Sequence, residues 1–292
     1  MKTLTIFTSA YNRAHTLGRT YESLCRQTCD DFEWLVIDDG STDNTEELVK
    51  SWLEENKIPI RYIQKENGGL HTGYATAIAN MNTELNVCID SDDYMPDDAV
   101  EIIVKTWDDE CREKGLAGII GLDYYMNGGP IGGLFKYEGD FHFYEIRDWH
   151  VGDDKKVCRT DLLKALEPMK SLYGEKNFNP IYYYTQVDEK YKFKVINENL
   201  CFVDYQPDGM AATIFKQYRN SPHSFAQLRR LYMSMSYETW PRHFRNAIHY
   251  VSSCIFAKER DFIKTSPRPF TTILAIPFGI LLNLYIRYKT SK

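Results

Sequence analysis

The stretch Leu85-Asn86-Val87-Cys88-Ile89-Asp90-Ser91-Asp92-Asp93 is a short apolar run that ends in three carboxylates. Its length and composition are those of a strand, and the acids follow its carboxyl end, where open parallel sheets bind ligands. Carboxylates this close together repel one another unless a positive charge neutralises them. An Asp-x-Asp sequence at a strand end offers the oxygen ligands that Mg²⁺ or Mn²⁺ prefers, and such an ion can hold a diphosphate. The alternative is an acidic turn before a helix that starts at Pro96-Asp97-Asp98.

The composition is that of an ordinary globular protein. The 292 residues are 43% hydrophobic and 26% charged, which suits one large domain with an appendage, or two domains. The formal net charge of −6 argues against a broad nucleic-acid-binding surface, so no nucleic acid partner is expected. The seven cysteines are scattered, and the chain starts directly in a strand-like pattern without a signal peptide. We therefore expect a cytoplasmic protein with reduced cysteines.

Strands and helices alternate through the first hundred residues. Apolar runs of strand length are separated by segments whose apolar residues recur at helical spacing, as Leu17, Tyr21 and Leu24 do. This alternation predicts right-handed β-α-β units, and therefore an α/β fold with a mostly parallel sheet flanked by helices. The predicted strands are 4–8, 32–37, 60–63 and 85–89, and a helix is predicted over 73–80.

The carboxyl ends of parallel strands open on one side of a sheet. The segments Thr8 to Tyr11, Asp38-Asp39 and Asp90 to Asp93 should therefore converge on a single crevice. A carboxylate at the second strand can accept hydrogen bonds from a base or ribose, while the acids at the fourth can hold metal and diphosphate. For Asp38-Asp39 the alternative is a solvated turn that caps the next helix. The sequence contains neither a P-loop nor a Gly-x-Gly-x-x-Gly motif, which argues against P-loop and dinucleotide-binding proteins.

With these motifs the chain resembles the family 2 glycosyltransferases, which have the Rossmann-like GT-A fold. The resemblance covers roughly the first hundred residues, and the combination of Asp-Asp-Gly-Ser with a later Asp-x-Asp is its specific part. The matching segments are Thr8-Ser9-Ala10-Tyr11-Asn12-Arg13, Phe32 to Asp43, Asn67-Gly68-Gly69 and Asp90-Ser91-Asp92-Asp93.

The resemblance implies which residues bind the nucleotide-sugar. Asp39 should face the base with Asp38 beside it, Asp90 should approach the ribose or the metal, and Asp92 should bind Mg²⁺ or Mn²⁺ directly. His71 stands where a basic residue is more usual in the family, and a surface loop histidine is the alternative. The full set expected at the nucleotide-sugar is Thr8, Ala10, Tyr11, Asn12, Arg13, Asp38, Asp39, Asn67, Gly68, His71, Asp90 and Ser91.

Inverting glycosyl transfer requires a general base for the acceptor hydroxyl. The resemblance implies an acidic residue in the second half of the domain, near the start of a helix, and Glu175 is the best local candidate. Asp154, in the Asp153-Asp154 pair, is the second candidate, although a solvated turn also explains that pair. Asp188 lies in a charged run that predicts an exposed helix end.

The second half of the chain divides into an acceptor half and a helical region. We expect a glycosyltransferase domain over 1–212, with a nucleotide-binding half 1–100 and an acceptor half 101–212, followed by a helical region 213–292. Phe193 to Ile196 and Leu200 to Asp204 predict two strands around a polar turn. Tyr205 to Met210 resembles the loop that closes over donor and acceptor in such enzymes, and a simple exit loop is the alternative.

The segment 270–286 is almost uninterruptedly apolar and is flanked by Arg268, Arg287, Lys289 and Lys292. It is at the short limit for crossing a bilayer, and its Pro277, Gly279 and Asn283 favour a helix that lies in or dips into the membrane surface. A buried docking helix or a dimer contact is the alternative. Membrane association would place the protein at the cytoplasmic face of the inner membrane and would suit an acceptor carried on a lipid.

These observations favour a metal-dependent inverting glycosyltransferase that uses a nucleoside-diphosphate sugar, with a uridine base implied by the resemblance. Two alternatives stay open at this point. A phospho-receiver signalling module also gathers acids around Mg²⁺, but it is much shorter than this chain. A catalytically silent, membrane-bound scaffold would keep only the nucleotide binding.

Overall fold

A computed structural model of the protein describes residues 2–206 and 213–291. The chain forms two compact units. The first comprises Met1–Asn67, Gly73–Pro168 and Gln186–Tyr205, and the second comprises Gly68–Thr72, Met169–Thr185 and Gln206–Lys292. Residues 169–185, expected in the acceptor half of the first domain, thus group with the C-terminal helices.

The first unit contains all strands of the described chain, and strand and helix alternate through the first hundred residues as predicted. Its elements are β1 (Leu4–Ala10), α1 (Leu17–Cys25), β2 (Phe32–Asp38), α2 (Thr45–Glu55), β3 (Ile60–Gln64), α3 (Leu70–Asn80), β4 (Leu85–Cys88), α4 (Ala99–Thr106), β5 (Gly118–Tyr125), β6 (Gly139–Phe141), α5 (Phe143–Ile146), β7 (Asp154–Arg159), α6 (Thr160–Lys164), α7 (Ile181–Asp188) and β8 (Phe193–Val203). Helices α3 and α7 each have residues in both units.

The strands form one mixed sheet in the order β3-β2-β1-β4-β7-β5-β8-β6. The first four strands are parallel, with Leu4 of β1 opposite both Phe32 of β2 and Leu85 of β4. Strand β7 then runs antiparallel to both β4 and β5. The carboxyl ends of β2, β1 and β4 therefore lie side by side, as the sequence pattern predicts.

Apolar strand residues build the core of this unit. Trp34 is fully buried, and the ring of Tyr21 stacks on that of Trp52 with centroids 4.3 Å apart. Because Trp34 lies on β2 while Tyr21 and Trp52 lie on α1 and α2, these aromatic contacts hold the helices on the sheet.

The prediction of two strands around a polar turn at 193–204 is wrong, because β8 is one continuous strand. The polar residues in its middle bind neighbouring backbone and so stay in the strand. Asn197 accepts a hydrogen bond from the Phe135 amide at 2.7 Å and donates one to the Phe135 carbonyl at 3.1 Å. Asn199 accepts a hydrogen bond from the Cys201 amide, and the pairing with β5 shifts register nearby.

Asp188 does end a helix, but the prediction of an exposed side chain is wrong. Its carboxylate is fully buried and accepts hydrogen bonds from the amides of Phe143 and Tyr144, at 2.5 and 2.9 Å. These are first-turn amides of α5, which have no partner within their own helix. Burial raises the pKa of Asp188 to about 6.

The second unit is largely helical, with α8 (Ile214–Asn220), α9 (Pro222–Ser234), α10 (Trp240–Ala257) and α11 (Pro269–Thr290). Its core joins Ala226 and Met233 of α9, Tyr250 and Cys254 of α10, and Ala275 of α11. The helical region predicted from 213 onward is thus present. The predicted boundary at 212, and residues 207–210 of the predicted closing loop, lie outside the described residues.

A buried ion pair lies in the sheet where the antiparallel strand enters. Lys155 of β7 is almost fully buried, and its Nζ lies 3.5 Å from Oδ1 of the buried Asp123 on β5. Burial opposes the charged form of Lys155, but neighbouring carboxylates, Asp123 first, raise its pKa well above the ordinary value. Burial also opposes the charged form of Asp123, and it therefore raises the pKa of this carboxyl group to about 6.

Replacing Lys155 with methionine should strongly destabilise the first unit, because buried carboxylates lose their cation. We expect the free energy of unfolding to fall by about 3–5 kcal/mol, as for other broken buried pairs. The measurement is urea unfolding of the full chain, followed by circular dichroism. The double variant Lys155→Met/Asp123→Leu should recover most of the loss. A Lys155→Met midpoint equal to that of the wild type would show that the pair is not a structural element.

Candidate active site

The loops after β1 and β2 are hydrogen-bonded to each other at the carboxyl edge of the sheet. The amide of Asp39 donates to the carbonyl of Ala10 at 2.8 Å, just beyond the paired strands. The amide of Asn12, a residue with a φ of 55°, donates to Ser41 Oγ at 2.9 Å. Asn12 Oδ1 in turn accepts from the Thr42 amide at 2.8 Å. The two loops therefore form one rigid surface.

The predicted residues of β1 and its loop differ in what they expose. Thr8 is fully buried, and its hydroxyl accepts a hydrogen bond from Trp34 Nε1 at 3.1 Å. Ala10 is also buried, whereas Tyr11 exposes about half of its side chain, 49%. The Arg13 amide donates to Thr45 Oγ1 at 3.2 Å, which fixes the backbone from which its guanidinium extends.

The two acids after β2 have different partners. Asp38 is fully buried and accepts hydrogen bonds from the Ser41 amide at 2.7 Å and the Tyr62 hydroxyl at 2.6 Å. Asp38 therefore shapes the turn. Asp39 pairs with Lys65, and its backbone carbonyl accepts a hydrogen bond from Asn67 Nδ2 at 2.8 Å. The predicted Asp38, Asp39 and Asn67 are thus brought together. The Asp39 carboxylate is buried against Lys65, a cation that no sequence pattern had indicated.

The acidic loop after β4 follows the same edge. A hydrogen bond of 3.0 Å from the Asp93 amide to the Asp90 carbonyl closes the turn. Asp90 is exposed, Ser91 is buried and Asp92 is partly buried. Burial raises the pKa of Asp92, the negative charge of Asp90 raises it further, and the positive charge of Arg13 opposes this. Arg13 and Asp92 are therefore close enough to interact.

The donor set of this loop fits a Mg²⁺ or Mn²⁺ ion held jointly with a diphosphate. Within 2–206 and 213–291, no three His, Cys, Asp or Glu residues group closely enough to hold a metal alone. Mg²⁺ is commonly held by one or two carboxylates, with substrate phosphates and water as the other ligands. Asp92, with Asp90 beside it, suits that arrangement, because a cation would offset both causes of the raised pKa of Asp92, its burial and the repulsion from Asp90.

A third acid of the loop faces inward and connects the edge to the buried ion pair. Asp93 is buried, and its Oδ1 accepts a hydrogen bond from the Asp204 amide at 3.0 Å. Burial raises the pKa of Asp93 to about 8, while the positive charge of Lys155 opposes this. Asp204 also pairs with Arg19 at 2.9 Å. No sequence pattern had indicated Lys155 or Arg19, and Asp204 was predicted only as the last residue of a strand, which in the structure ends at Val203.

Three predicted site residues belong to the second unit: Gly68, His71 and Glu175. Gly69, the next glycine of the same motif, has a φ of 92°, and a Cβ there would lie 2.0 Å from the Lys176 carbonyl oxygen. This close approach explains why the motif requires glycine and joins it to the Glu175 segment. His71 is fully buried, with its ring centroid 6.1 Å from that of Phe178, so the alternative of a surface loop histidine is wrong.

The Glu175 side chain lies against the first turn of α9, although Glu175 is distant from that helix in the sequence. Its Oε1 accepts hydrogen bonds from the His223 amide at 2.8 Å and pairs with His223 Nδ1 at 2.7 Å. Its Oε2 accepts from the Ser224 amide at 2.7 Å. Glu175 therefore caps α9, and only 7% of the residue is exposed. The exposed ring of Tyr173 stacks on His223, with centroids 3.9 Å apart.

The alternative base Asp154 is engaged in a local pair. It is the first residue of β7, and its carboxylate is mostly buried and paired with Lys156. The neighbouring Asp153 accepts a hydrogen bond from the Tyr205 hydroxyl. The alternative of a solvated turn is therefore wrong for Asp154, because this residue lies in a strand and its side chain is mostly buried.

Sequence relatives align with up to about two thirds of the chain. Residues 5–118 match the glycosyl transferase family 2 model. A chondroitin synthase of Pasteurella multocida is 28% identical over 218 residues, which are 68% of this chain and 20% of the synthase. Glycosyltransferase GlyA of Streptococcus pneumoniae is 34% identical over 164 residues, which are 56% of this chain and 22% of GlyA. The chain thus spans about a fifth of the length of these relatives.

Solved structures share the fold. Residues 1–349 of TarS from S. aureus, in complex with UDP-GlcNAc, match with a TM-score of 0.60 and 16% identity, covering 100% of this chain and 93% of that chain. Mannosyltransferase PcManGT from Pyrobaculum calidifontis, in complex with GDP-Man and Mn²⁺, matches with a TM-score of 0.56 and 17% identity, covering 99% and 75%. The predicted α/β GT-A fold with a C-terminal helical appendage is confirmed. Residues 5–118 are thus similar to glycosyl transferase family 2, and relatives align over stretches longer than this segment.

Proposed function

We propose that the protein is an inverting glycosyltransferase that transfers a sugar from a UDP-sugar to an acceptor hydroxyl. The observation that carries the proposal is the position of Asp39, Arg13 and Asp92 on loops that follow three adjacent parallel strands. A carboxylate for the base, a cation and a metal-binding acid thereby occupy one edge of the sheet. The TarS structures with UDP and UDP-GlcNAc support a uridine donor on the same fold.

The reaction forms a bond from the acceptor oxygen to the anomeric carbon and breaks the bond from that carbon to the diphosphate. The acceptor proton passes to a general base, for which we propose Glu175, with Asp154 as the alternative. A divalent cation at Asp92, Mg²⁺ or Mn²⁺, would neutralise the charge of the leaving nucleoside diphosphate. The Mn²⁺ in the PcManGT complex supports this choice of cofactor. Thr8, Ala10, Tyr11, Asn12, Asn67, Gly68, His71 and Ser91 would complete the donor site.

The proposed acceptor is a lipid-linked saccharide at the cytoplasmic face of the inner membrane. Helix α11 supports this part of the proposal, because it is the described helix whose length and composition suffice to cross a membrane. The names of the relatives, a chondroitin synthase and a hyaluronan synthase, support polysaccharide synthesis as the setting.

Asp92→Ala should abolish metal-dependent donor binding and lower turnover by at least about 100-fold, because the diphosphate loses its cation. The measurement is thermal denaturation with a panel of UDP- and GDP-sugars, with and without Mn²⁺. A donor at about 100 times its dissociation constant should raise the wild-type midpoint by about 5 °C.

The matched control for this variant is Asp98→Ala, because Asp98 is an exposed acid that makes no side-chain cap at the start of α4. Asp98→Ala should bind the donor as the wild type does. Equal donor binding and turnover in Asp92→Ala would contradict the metal assignment. Wild-type binding without any transfer or donor hydrolysis would instead indicate a silent scaffold.

Glu175→Gln should retain donor binding but lose transfer by about 10²- to 10⁴-fold, because the amide cannot take the acceptor proton. The side-chain oxygen of glutamine can still accept one of the α9 amides, so the fold should persist. Glu175→Ala, which removes the cap, should lower stability by about 1–2 kcal/mol in addition. The measurements are single-turnover transfer and thermal denaturation of both variants. Transfer at the wild-type rate in Glu175→Gln would leave this residue with the capping role alone and would move the base to Asp154.

A further inference from the structure

Helix α11 is turned so that its large apolar side chains face outward. In most surface helices the apolar side is buried and the polar side is exposed. Here Thr272, Ala275 and Asn283 are buried, while Leu281 is 64% exposed. Further apolar side chains of α11 that are at least 44% exposed are Phe270, Ile273, Phe278, Ile280, Leu284, Tyr285 and Tyr288.

Specific contacts to α10 within the second unit fix this orientation. A Cβ at Gly279 would lie 2.5 Å from the Cβ of Val251, so only glycine permits the two helices to approach this closely. Asn283 Nδ2 donates a hydrogen bond to the Ser252 carbonyl at 3.1 Å. The inner side of α11 is therefore the side that the protein itself covers.

The outward apolar surface is wide and continues onto α10. Successive residues of a helix are about 100° apart around its axis. Viewed along the axis of α11, the exposed apolar side chains therefore span an arc of about 160°, with Ile280 at one edge and Phe278 at the other. The seam of a two-stranded coiled coil is much narrower. Trp240 of α10, itself 59% exposed, stacks on Phe244 with centroids 5.4 Å apart, and Phe244 contacts Phe278 at 5.6 Å. A broad surface with an aromatic margin suits a lipid phase better than a second helix.

The charge around this surface has the sign that an anionic bilayer attracts. Residues 213–291 contain 12 lysine and arginine residues and three acidic residues, a net charge of +9 in a chain whose total is −6. Exposed cations stand at both ends of α11, with Arg268 before it and Arg287 and Lys289 in its last turn.

We propose that α11 lies in the plane of an anionic bilayer, with its Phe270–Tyr288 side among the acyl chains and the α10 side toward the protein. This inference deepens the membrane association within the proposed function and rests on it. A spanning orientation is disfavoured, because the side of α11 that carries Asn283 is covered by α10. Helix α10 would have to enter the hydrocarbon too, and it carries Arg242, Arg245 and the buried Asn246.

The test is flotation of the purified full chain with vesicles of phosphatidylcholine alone or with about 30% phosphatidylglycerol. The wild type should float with the anionic vesicles. It should be released from them at pH 11, as expected of a protein that does not span the bilayer. Leu281→Glu/Leu284→Glu should lose at least about 90% of this binding, because two charges would enter the acyl region. Arg287→Glu should weaken binding to anionic vesicles by at least about fivefold, without changing binding to neutral ones.

The control is Leu134→Glu, since Leu134 is 60% exposed and lies in the first unit. It should float as the wild type does. Failure of the wild type to float would overturn the proposal, as would flotation of the Leu281→Glu/Leu284→Glu variant. A wild-type dimer that this double variant converts to a monomer, without vesicle binding, would assign the surface to a second copy of the chain. Donor binding is measured on the same samples. A protein that binds the UDP-sugar but not the vesicles would contradict the membrane proposal alone, whereas loss of donor binding would contradict the glycosyltransferase proposal.

Discussion

Negative charge at one edge of the sheet is the constraint on which the rest of the site depends. Two strands of the parallel set, β2 and β4, end in segments that carry Asp38, Asp39 and Asp90 to Asp93, and such a concentration of carboxylates needs positive charge nearby. The protein supplies cations at different depths. Lys65 pairs with Asp39, Arg13 acts on Asp92, and Lys155 lies beneath the edge among buried acids. Asp90 and Asp92, whose mutual repulsion adds to the effect of burial on the pKa of Asp92, form the part of this edge that would hold a metal ion most strongly.

The parallel half of the fold was predictable from the sequence for a physical reason. Strands such as 32–37 are buried on both faces, so they appear as continuous apolar runs, and each ends in a turn-forming polar segment. Side-by-side placement then follows from the handedness of β-α-β connections. The predicted convergence of Tyr11, Asp39 and Asp92 on one edge depended on these features alone.

The antiparallel half was less predictable, because its polar residues have partners distant in sequence. Asn197 looks like part of a turn until its bonds to Phe135, 62 residues away, are known. Asp188 looks like an exposed acid until it meets the first amides of α5. Lys155 could not be distinguished from its neighbour Lys156 in the sequence, although only the former lies against Asp123. A long-range partner leaves no periodic signal, and periodicity is what sequence analysis uses.

The inner and outer sides of α11 should tolerate sequence drift very differently. Outward positions such as Leu281 need only stay apolar, so leucine, isoleucine, phenylalanine and methionine should exchange freely there. At Gly279 even one added carbon would collide with Val251. Natural variation along this helix should therefore be conservative in hydrophobicity on one side and conservative in size on the other.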